Sequence, residues 1–467
     1  MLIRFSFRNF RSIGPEKVNL EMVSSSKLRN HQDHVVQLPF GGKVLKNAVI
    51  YGGNASGKSN TLQALELMKA AVLLGAIPQQ ASAEYCRVGT GMSKEESVFD
   101  VQFHYGGLAF DYGFSCYLET GAVTSEWLYE LGRKSERLFE RDANDIAMGD
   151  GFVSSLRDFD VTRLEVYRND FILAARSKPS ALFLSALGVG KSYEEGSALS
   201  KMALACSWFA DGLDILLNGG QSQRSEFYSD TSTLDAVAKV LASFDTGISA
   251  LRKEEVSIDE LDRYVPADQL MALRNVFSSV AAKGERGPVA LTLRSDEAFV
   301  SIEGLPGGKQ VATILKIGHR GSALEFNYSE ESEGTKRLLG LMDLLFTGRK
   351  DTAFVVDELS RSFHPLLTKQ FVELFNKRHA DDGCQLIFTT HENDIMSYDY
   401  FRRDEIWFVE RDEDGYSRLY PLDSFAQSGD ARTDARIGKR YLEGRYGGVP
   451  VLSMPMALDS LDLVGGE

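Results

Sequence analysis

One stretch of the sequence, AVIYGGNASGKSN, constrains the fold of this chain more than any other. It contains Gly52, four further residues and then Gly57-Lys58-Ser59. A short apolar run at residues 48–51 precedes this pattern and a helical pattern follows it, which is the strand, loop and helix order of a phosphate-binding loop. Glycines let the backbone aim N–H groups at a phosphate, and a helix N-terminus adds partial positive charge. The sequence therefore predicts an α/β protein that binds a nucleotide.

Each residue of this loop is a candidate for nucleotide binding. The candidates are Gly52, Gly53, Asn54, Ala55, Ser56, Gly57, Lys58, Ser59 and Asn60. We expect Lys58 to bridge the β- and γ-phosphates and the Ser59 hydroxyl to be a Mg²⁺ ligand. The alternative is a glycine-rich structural turn without a ligand.

A second motif separates an ATPase from other nucleotide-binding proteins. The apolar run at residues 353–356 ends in Asp357-Glu358, as in a buried strand whose carboxyl end meets the phosphates. Asp357 is expected to hold Mg²⁺ through water or Ser59. The adjacent Glu358 fits a general base for water that attacks the γ-phosphate. The alternative is a strand that ends in surface acids.

A third motif, CQLIFTTHEND, is another apolar strand pattern, at residues 386–388, followed by His391. A histidine at the tip of the neighbouring strand can reach the γ-phosphate, although a single histidine is more often structural. It does not begin a zinc-protease HExxH helix, because Ile395 stands where the second histidine is required. The stretch NKRH has His379 where a guanine-reading motif has an acid, which favours ATP over GTP.

Composition and charge indicate a folded protein of the cytoplasm. The chain has 467 residues and a formal net charge of −14, which opposes non-specific attraction to DNA or to an acidic membrane. No stretch approaches the roughly 20 uncharged apolar residues that span a bilayer, and the N-terminus lacks the apolar core of a secretory signal. The four cysteines are far apart and form no CxxC pair. We therefore expect a cytoplasmic protein that does not act at a membrane.

The pattern of apolar residues divides the chain into four segments. Residues 1–135 are rich in short strand patterns, among them residues 2–7, 98–104 and 109–117, and are expected to form a lobe that carries the P-loop. Residues 136–285 change to apolar spacings of three and four, so we predict an inserted, mainly helical subdomain. Residues 286–430 return to strands, among them residues 311–317 and 323–326, and then alternate strand with helix. Residues 431–467 are a C-terminal tail.

Within the predicted insertion, helices are indicated at residues 199–217 and 267–282. The polar residues 218–233 indicate an exposed loop between them. The stretch LGVGKS at residues 187–192 looks like a second P-loop, but Ser185 occupies the position of its first glycine and no strand precedes it. We interpret it as the end of a helix.

Taken in order, the motifs FRNFRSI, GGNASGKSN, SEGTKRLL, VVDELSRSFHP, TTHEND and KRYLEGRYGGVP resemble those of ABC-type ATPase heads of the SMC/RecF group. Within that group the sequence is similar to AAA-15/AAA-21 ATPases of prokaryotic defence, the OLD-like and AbiL/Rlo-type abortive-infection proteins. The resemblance covers both ends of the chain well and the middle poorly. It implies a P-loop ATPase head with ATP and Mg²⁺ as cofactors.

The resemblance changes the interpretation of the stretch SEGTKRLL more than that of any other motif. Alone, it is the polar start of a helix that Ser332 caps. In the families that it resembles, the matching Ser332 and Gly334 would contact the γ-phosphate of ATP bound to the opposite copy of the chain. The resemblance therefore implies a homodimer or larger homo-oligomer held together by shared ATP sites. The spelling departs from the LSGGQ of transporters, and neither Gln79 nor Gln80 is marked as the glutamine of a Q-loop.

For the function, our first hypothesis is an ATPase sensor and scaffold in antiviral defence. It would control a separately encoded toxic effector, such as a nuclease, with slow regulatory hydrolysis and with DNA or a phage component as a further partner. Asp412–Asp414 resembles a nuclease metal motif, but the following Gly415 indicates a hairpin turn.

The alternative hypothesis is a RecF/SMC-like DNA-repair or chromosome-associated ATPase. The net charge does not favour it, although the tail is locally basic, at Arg432, Arg436, Lys439, Arg440 and Arg445. Arg11 is a candidate for approach to the nucleotide or for a solvent-exposed position. The ATPase subunit of a membrane transporter is disfavoured because a large insertion is hard to fit on a compact head.

Overall fold

The described residues form three large sheets and one two-stranded sheet, with helices packed around and between them. The computed structural model describes residues 1–143, 145–217, 226–228, 231–267, 269–271, 274–275, 289–294, 299–304, 310–426 and 436–449. The strands, in chain order, are β1 (Leu2–Arg8), β2 (Val18–Glu21), β3 (Val35–Gln37), β4 (Lys43–Leu45), β5 (Asn47–Gly52), β6 (Ser97–Tyr105), β7 (Leu108–Tyr117), β8 (Ala122–Leu131), β9 (Glu136–Asp142), β10 (Asp145–Met148), β11 (Leu213–Leu216), β12 (Ile248–Val256), β13 (Val289–Arg294), β14 (Phe299–Gly304), β15 (Gln310–His319), β16 (Glu325–Asn327), β17 (Ala353–Val356), β18 (Gln385–Thr389), β19 (Ile406–Arg411) and β20 (Ser417–Pro421). The α-helices are α1 (Lys58–Leu74), α2 (Asp150–Ser154), α3 (Asp158–Ser177), α4 (Phe183–Gly188), α5 (Ser200–Ser207), α6 (Thr231–Ser243), α7 (Glu333–Leu345), α8 (Pro365–Arg378) and α9 (Ile437–Leu442).

The central sheet has six strands in the order β11-β17-β18-β5-β19-β20. Its first five strands are parallel, and β20 is antiparallel to β19. Strands β5, β17 and β18 are buried along their whole length, as expected for continuous apolar runs that are covered on both faces. Because parallel strands end at the same edge, Gly52, Asp357 and Thr389 come together there.

The second sheet is antiparallel and belongs to the N-terminal part of the chain, with the order β10-β9-β8-β7-β6-β1-β2. The strands predicted near residues 2–7, 98–104 and 109–117 are confirmed as β1, β6 and β7. Ile50 of β5, Leu65 of α1 and Phe99 of β6 belong to one buried cluster, so α1 joins the central and antiparallel sheets through a common core. Each such side chain contributes about 1.5–3 kcal/mol through burial.

A third sheet, in the order β12-β15-β14-β13 with β16 on β15, lies beside α6 and α7. Helix α7 carries Leu338, Leu341 and Leu345 into the same buried cluster as Phe354 and Val356 of β17. This packing fixes α7 against the strand that ends at Asp357. The predicted strands near residues 311–317 and 323–326 are found as β15 and β16.

Residues 136–285, which we predicted as a helical insertion, contribute both helices and strands. Helices α2 to α6 lie in this segment, but β9 and β10 extend the antiparallel sheet, β11 pairs with β17 and β12 pairs with β15. Strands as short as the four-residue β11 carry too few alternations to be recognised by periodicity. The segment thus reaches all three sheets, and the limits of a separate insertion remain a prediction.

Most of the predicted helix at residues 267–282 and most of the predicted loop at residues 218–233 lie outside the described residues, and residues 269–271 and 274–275 of the former are helical. The stretch LGVGKS follows the end of α4 at Gly188, and Gly190 has a φ of 66°, which confirms the interpretation as a helix end. Among the helices that the structure describes, none combines the length and the apolar character needed to cross a bilayer.

Candidate functional site

The P-loop connects the end of β5 to the start of α1. Gly57 precedes the helix with a φ of 105°, in the left-handed region that favours glycine. A Cβ atom at this position would lie 2.4 Å from Ser417 Oγ and 2.8 Å from Ser12 Oγ. The glycine is therefore required both by the backbone conformation and by two side chains that press on the loop.

Those two serines hold the P-loop in place through hydrogen bonds, which we call the brace of the loop. The sequence did not predict them as site residues. Ser12 Oγ and Ser417 Oγ are 2.6 Å apart, and Ser417 Oγ donates to the carbonyl oxygen of Ser56 at 2.6 Å. The amide of Asn60, a predicted nucleotide contact, donates to Ser12 Oγ at 2.6 Å. Ser12 lies in the motif FRNFRSI, which was a usable signal, whereas Ser417 lies in a hairpin that carries no motif.

Three features show that the loop fits a phosphate group. Within the described residues, no side chain caps the N-terminus of α1, so its first N–H groups and its dipole face the loop. Ser56 Oγ is buried and has no hydrogen-bond partner in the described part of the chain. Asn54 and Ala55 are exposed at the tip, beside a cavity of about 630 Å³.

Lys58 supplies the positive charge of the loop. Its Nζ donates to the carbonyl oxygens of Gly52 and Gly53 at 2.9 and 3.0 Å. Burial lowers the pKa of Lys58 to about 8, against the opposing effect of the carboxylates of Asp357 and Glu358. A buried ammonium with only carbonyl partners is poised to accept a stronger anionic partner.

Asp357 is brought to the P-loop by the parallel sheet. It is buried, and its Oδ1 accepts hydrogen bonds from Ser59 Oγ at 3.0 Å and from Thr389 Oγ1 at 2.6 Å. A hydroxyl beside a carboxylate at a phosphate-binding loop is a donor set that Mg²⁺ accepts. The structure thus joins the two predicted metal ligands, and their role with metal stays a prediction. Thr389, which sequence reasoning did not single out, completes the cluster.

Glu358 has a backbone conformation that differs from that of Asp357. Its φ is 49°, unusual for a residue with a side chain, and its N–H donates to Thr389 Oγ1 at 2.7 Å. The left-handed turn ends the strand and directs Glu358 away from the buried direction of Asp357. In the described part of the chain its half-buried carboxylate has no hydrogen-bond partner, so it is available to a water molecule.

His391 follows β18 and is exposed. Partial burial of the ring and the nearby charge of Lys58 lower the pKa of His391, against the carboxylates of Glu358 and Asp357. The charges of Lys58, Glu358 and Asp357 therefore all act on the ring of His391. A lowered pKa keeps the ring neutral at pH 7, so it can donate or accept a hydrogen bond there.

Ser332 and Gly334 lie at the other end of this region, at the start of α7. Ser332 is the N-cap residue, and its Oγ accepts from the Thr335 N–H at 3.1 Å. A Cβ atom at Gly334 would lie 3.0 Å from the Ser362 carbonyl oxygen. Within the described residues, the Ser332 hydroxyl bonds only to Thr335 and not to the P-loop of its own chain. Ser332 therefore caps the helix as predicted, and it is also exposed to solvent.

The remaining candidates lie in surface or turn positions. Arg11 Nε lies 2.5 Å from Glu84 Oε2, at the surface. Gln79 and Gln80 lie in the 3-10 turn Gln79–Ala83. Gly415 has a φ of 90° in the turn between β19 and β20, which confirms the hairpin.

The structure describes residues 436–449 of the basic tail, and Arg432 lies outside the described residues. The charge of the visible part is reduced by an acid, because Glu443 pairs with Lys439 at 3.8 Å and with Arg445 at 3.1 Å.

Comparison with known proteins gives the family. The sequence profile of the AAA-21 family, described as "AAA domain, putative AbiEii toxin, Type IV TA system", matches residues 48–179 and 231–397, which is more than half of the chain. No curated protein matches. Two solved structures are similar over 90% of this chain: an SMC head bound to the C-terminal winged-helix domain of ScpA (97% of that chain, 14% identity, TM-score 0.40) and the SMC head domain from Thermotoga maritima (98%, 12%, 0.31). The P-loop at the carboxyl edge of a parallel sheet and the extent of the profile match together show that this chain belongs to the AAA-21 family of P-loop ATPases.

Proposed function

We propose that this protein binds and slowly hydrolyses ATP between two copies of the chain, and that the ATP-bound assembly controls a separate toxic effector in prokaryotic antiviral defence. The observation that carries the proposal is the cluster at the carboxyl edge of the central sheet. There Ser59 and Asp357 are hydrogen-bonded, and Glu358 has an unpartnered carboxylate within the described residues. A P-loop protein that only stores nucleotide has no need of that second acid.

In the proposed reaction, Lys58 and the N-terminus of α1 hold the phosphates of ATP. Ser59 and Asp357 would hold Mg²⁺, which neutralises charge on the phosphates when bound. Glu358 accepts a proton from water as the water oxygen attacks the γ-phosphorus, and the bond to the bridging oxygen breaks to give ADP and phosphate. His391 is placed to contact the γ-phosphate as a neutral hydrogen-bonding group.

In this proposal, the second copy of the chain contacts the bound ATP through its Ser332 and Gly334. The N-terminus of α7 is exposed, and its positive dipole end is suited to an anion. Arg337 of the same helix donates to the Asp357 carbonyl oxygen at 3.2 Å, so the helix is coupled to the strand that carries the acids. We propose that this helix end contacts ATP bound to the other copy, which makes ATP binding a signal for assembly.

The effector is proposed as a separate protein because the acidic stretch Asp412–Asp414, which resembles a nuclease metal motif, lies at the hairpin turn between β19 and β20. The family description names a putative toxin, which links the family to toxin–antitoxin systems. In the hairpin turn, Asp412 Oδ1 accepts from the Tyr416 N–H at 2.9 Å, which occupies one of its carboxylate oxygens. A toxic activity is therefore expected in a partner chain.

A mixing experiment tests whether the ATP site is shared. Lys58→Ala removes the phosphate-binding charge, and Ser332→Asp keeps a good helix cap but places a carboxylate against the triphosphate. Each variant alone should be inactive. A heterodimer of the two variants contains one site with neither change, so it should recover up to about half of the wild-type hydrolysis rate, since each site needs residues from both chains.

Isolated heterodimers with two different affinity tags provide the measurement. Ser322→Arg, a change at an exposed serine between β15 and β16, serves as the control for a surface substitution. Verified heterodimers that remain inactive would refute the shared site. Co-purification with the products of neighbouring genes, with and without ATP, tests the effector. If those neighbours are replication proteins and DNA stimulates ATP hydrolysis, the results support the RecF/SMC-like role instead of the defence role.

A further inference from the structure

A second cluster of polar side chains lies at the edge of the central sheet opposite to the P-loop. It surrounds the short turn Gln32–His34 between β2 and β3. The buried His34 contacts Asn47, the first residue of β5, and Glu405, which directly precedes β19. Strands β5 and β19 run parallel with their carboxyl ends toward the P-loop. The cluster is therefore separate from the candidate ATP site.

The ring of His34 has a fixed orientation. Its Nδ1 lies 3.1 and 3.0 Å from the two carboxylate oxygens of Glu405. A carboxylate accepts hydrogen bonds, so Nδ1–H is the donor, and the neutral ring carries its lone pair on Nε2. Asn47 donates its amide to Glu405 Oε1 at 3.1 Å and holds the carboxylate in place. A carboxylate on the far nitrogen is the usual environment of a histidine that binds a metal.

His31 is held in a comparable way. Its Nε2 lies 2.7 Å from the carbonyl oxygen of Tyr398, which can only accept, so the neutral ring carries its lone pair on Nδ1. The ring stacks on His34 with a centroid distance of 4.8 Å and an interplanar angle of 27°. The backbone of His31 is left-handed, with φ 43° and ψ 57°, a conformation that costs energy for a residue with a side chain. In its neutral form, each histidine therefore has one unprotonated nitrogen.

Asp33 lies between the two histidines in sequence and close to them in space. One ring nitrogen of His31, one of His34 and a carboxylate oxygen of Asp33 all lie within 4.8 Å of one another. Asp33 Oδ2 is 4.0 Å from His34 Nε2, and the Asp33 side chain is 77% exposed, so it can move toward the histidines at little cost.

Asn376, on the last turn of α8, faces the same nitrogen. Its Nδ2 lies 3.2 Å from His34 Nε2, while its buried Oδ1 has no hydrogen-bond partner in the described part of the chain. Rotation of the amide by half a turn exchanges the two atoms, and the two orientations differ only in which atom meets His34. The rotated amide offers an oxygen to the space beside His34 Nε2.

We propose that His31, Asp33 and His34, with Asn376 as a fourth donor, form a site for a divalent transition metal of the Zn²⁺ class. Two imidazole nitrogens with two oxygens suit Zn²⁺, Co²⁺ or Ni²⁺, whereas Mg²⁺ and Ca²⁺ prefer oxygen ligands alone. The bound metal ties the turn after β2 to the end of α8 and, through Glu405, to the start of β19. Its role is to stabilise this junction, so the site is independent of ATP chemistry.

The test uses the full chain after treatment with EDTA and removal of the chelator. Titration with ZnCl₂ in the presence of MgCl₂ should give one equivalent bound, and Co²⁺ should give the visible absorption of a tetrahedral site. Zn²⁺ should raise the melting temperature by several degrees, because a ligand bound only to the folded state stabilises it. His31→Ala and Asp33→Asn, at positions outside the core, should each weaken Zn²⁺ binding by about 10- to 100-fold.

His34→Gln also removes a ligand, but His34 is buried, so the two less buried substitutions decide the outcome if this variant does not fold. His364→Asn is the matched control, since it removes a histidine that caps α8 and leaves a capping residue there. It should bind Zn²⁺ as the wild type does. Equal Zn²⁺ affinity in wild type, His31→Ala and Asp33→Asn would overturn the proposal, as would loss of binding in His364→Asn of the same size.

Discussion

The P-loop edge of the central sheet and the N-terminus of α7 differ in where their polar groups find partners. At the P-loop edge, Ser59, Asp357 and Thr389 come from three separate elements and bind one another within one chain. At α7, Ser332 binds only inside its own first helical turn, in the described part of the chain. The first region is therefore assembled by the folding of one chain, whereas in the proposed function the second would be completed only by ATP bound to another copy.

This difference has a physical basis in the packing of α7. The apolar face of the helix is buried against β17, and Arg337 binds the Asp357 carbonyl oxygen. The position of the helix is therefore fixed while its tip remains exposed. A rigid element with an exposed dipole end can bind a ligand held elsewhere without a cost in ordering itself. The comparison predicts that changes at the P-loop edge affect single chains, whereas changes at Ser332 affect only pairs.

The largest effect is expected for Glu358→Gln. The amide cannot accept a proton, so hydrolysis should fall by about 10²–10⁴-fold, the usual contribution of a general base. ATP binding should persist, because Lys58 and the P-loop are unchanged. Single-turnover hydrolysis and equilibrium binding of ATP provide the two measurements. Hydrolysis at the wild-type rate would show that Glu358 is not the base.

The second-largest effect is expected for Ser332→Asp, which adds a negative charge at the N-terminus of α7. Ser332→Asp should leave ATP binding by one chain and the melting temperature nearly unchanged, since Asp is as good an N-cap as Ser. ATP-dependent association should weaken by about 100-fold, because like charges placed together cost several kcal/mol. Sedimentation with and without ATP measures this.

Ser332→Asn is the matched control for that variant, as it keeps the cap and adds no charge. It should associate nearly as the wild type does. An equal loss in the Asn and Asp variants would mean that the serine hydroxyl, rather than the electrostatics of the helix end, is what matters.

A smaller effect is expected from pH. Burial lowers the pKa of Lys58 to about 8, so the unliganded protein loses this positive charge as the pH rises through that value. ATP prefers the charged form, so its affinity should fall about tenfold for each pH unit above 8. Lys58→Arg stays charged throughout this range and should show no such fall. Titrations of ATP binding between pH 7 and about 9.5 compare the two proteins.

The smallest effect is expected from Ser417→Ala. The variant leaves the Ser56 carbonyl oxygen without its donor and loosens the back of the P-loop, a loss of about 1 kcal/mol or a factor of about 5 in ATP affinity. Ser424→Ala, an exposed serine beyond the end of β20, is the matched control and should bind ATP normally. An unchanged affinity in Ser417→Ala would show that the brace is not needed to shape the loop.

Much of the fold and part of the site could be predicted from sequence because the signals are local. The P-loop is a run of adjacent residues between a strand and a helix, and strands β5, β17 and β18 are continuous apolar runs. The convergence of Lys58, Asp357 and His391 followed from the rule that parallel strands end at one edge. Their catalytic roles remain predictions, since geometry alone does not measure a reaction.

The residues that sequence reasoning missed act across the chain. Ser417 reaches Ser56 over 361 positions, and the partners of His34 at Asn47, Asn376 and Glu405 come from three other elements. The distribution of residues 136–285 among three sheets was missed for the same reason, because a short strand is recognised by the strand with which it pairs.

The sequence by itself determined that this chain has a P-loop at a glycine-rich turn and that two acids end a buried strand, since both depend on neighbouring residues and on backbone sterics. The tertiary structure alone decided which side chains brace the P-loop, where Ser332 points and which histidines meet at the opposite edge. Those outcomes depend on contacts between distant segments, and such contacts exist only after the apolar faces of the sheets and helices have packed.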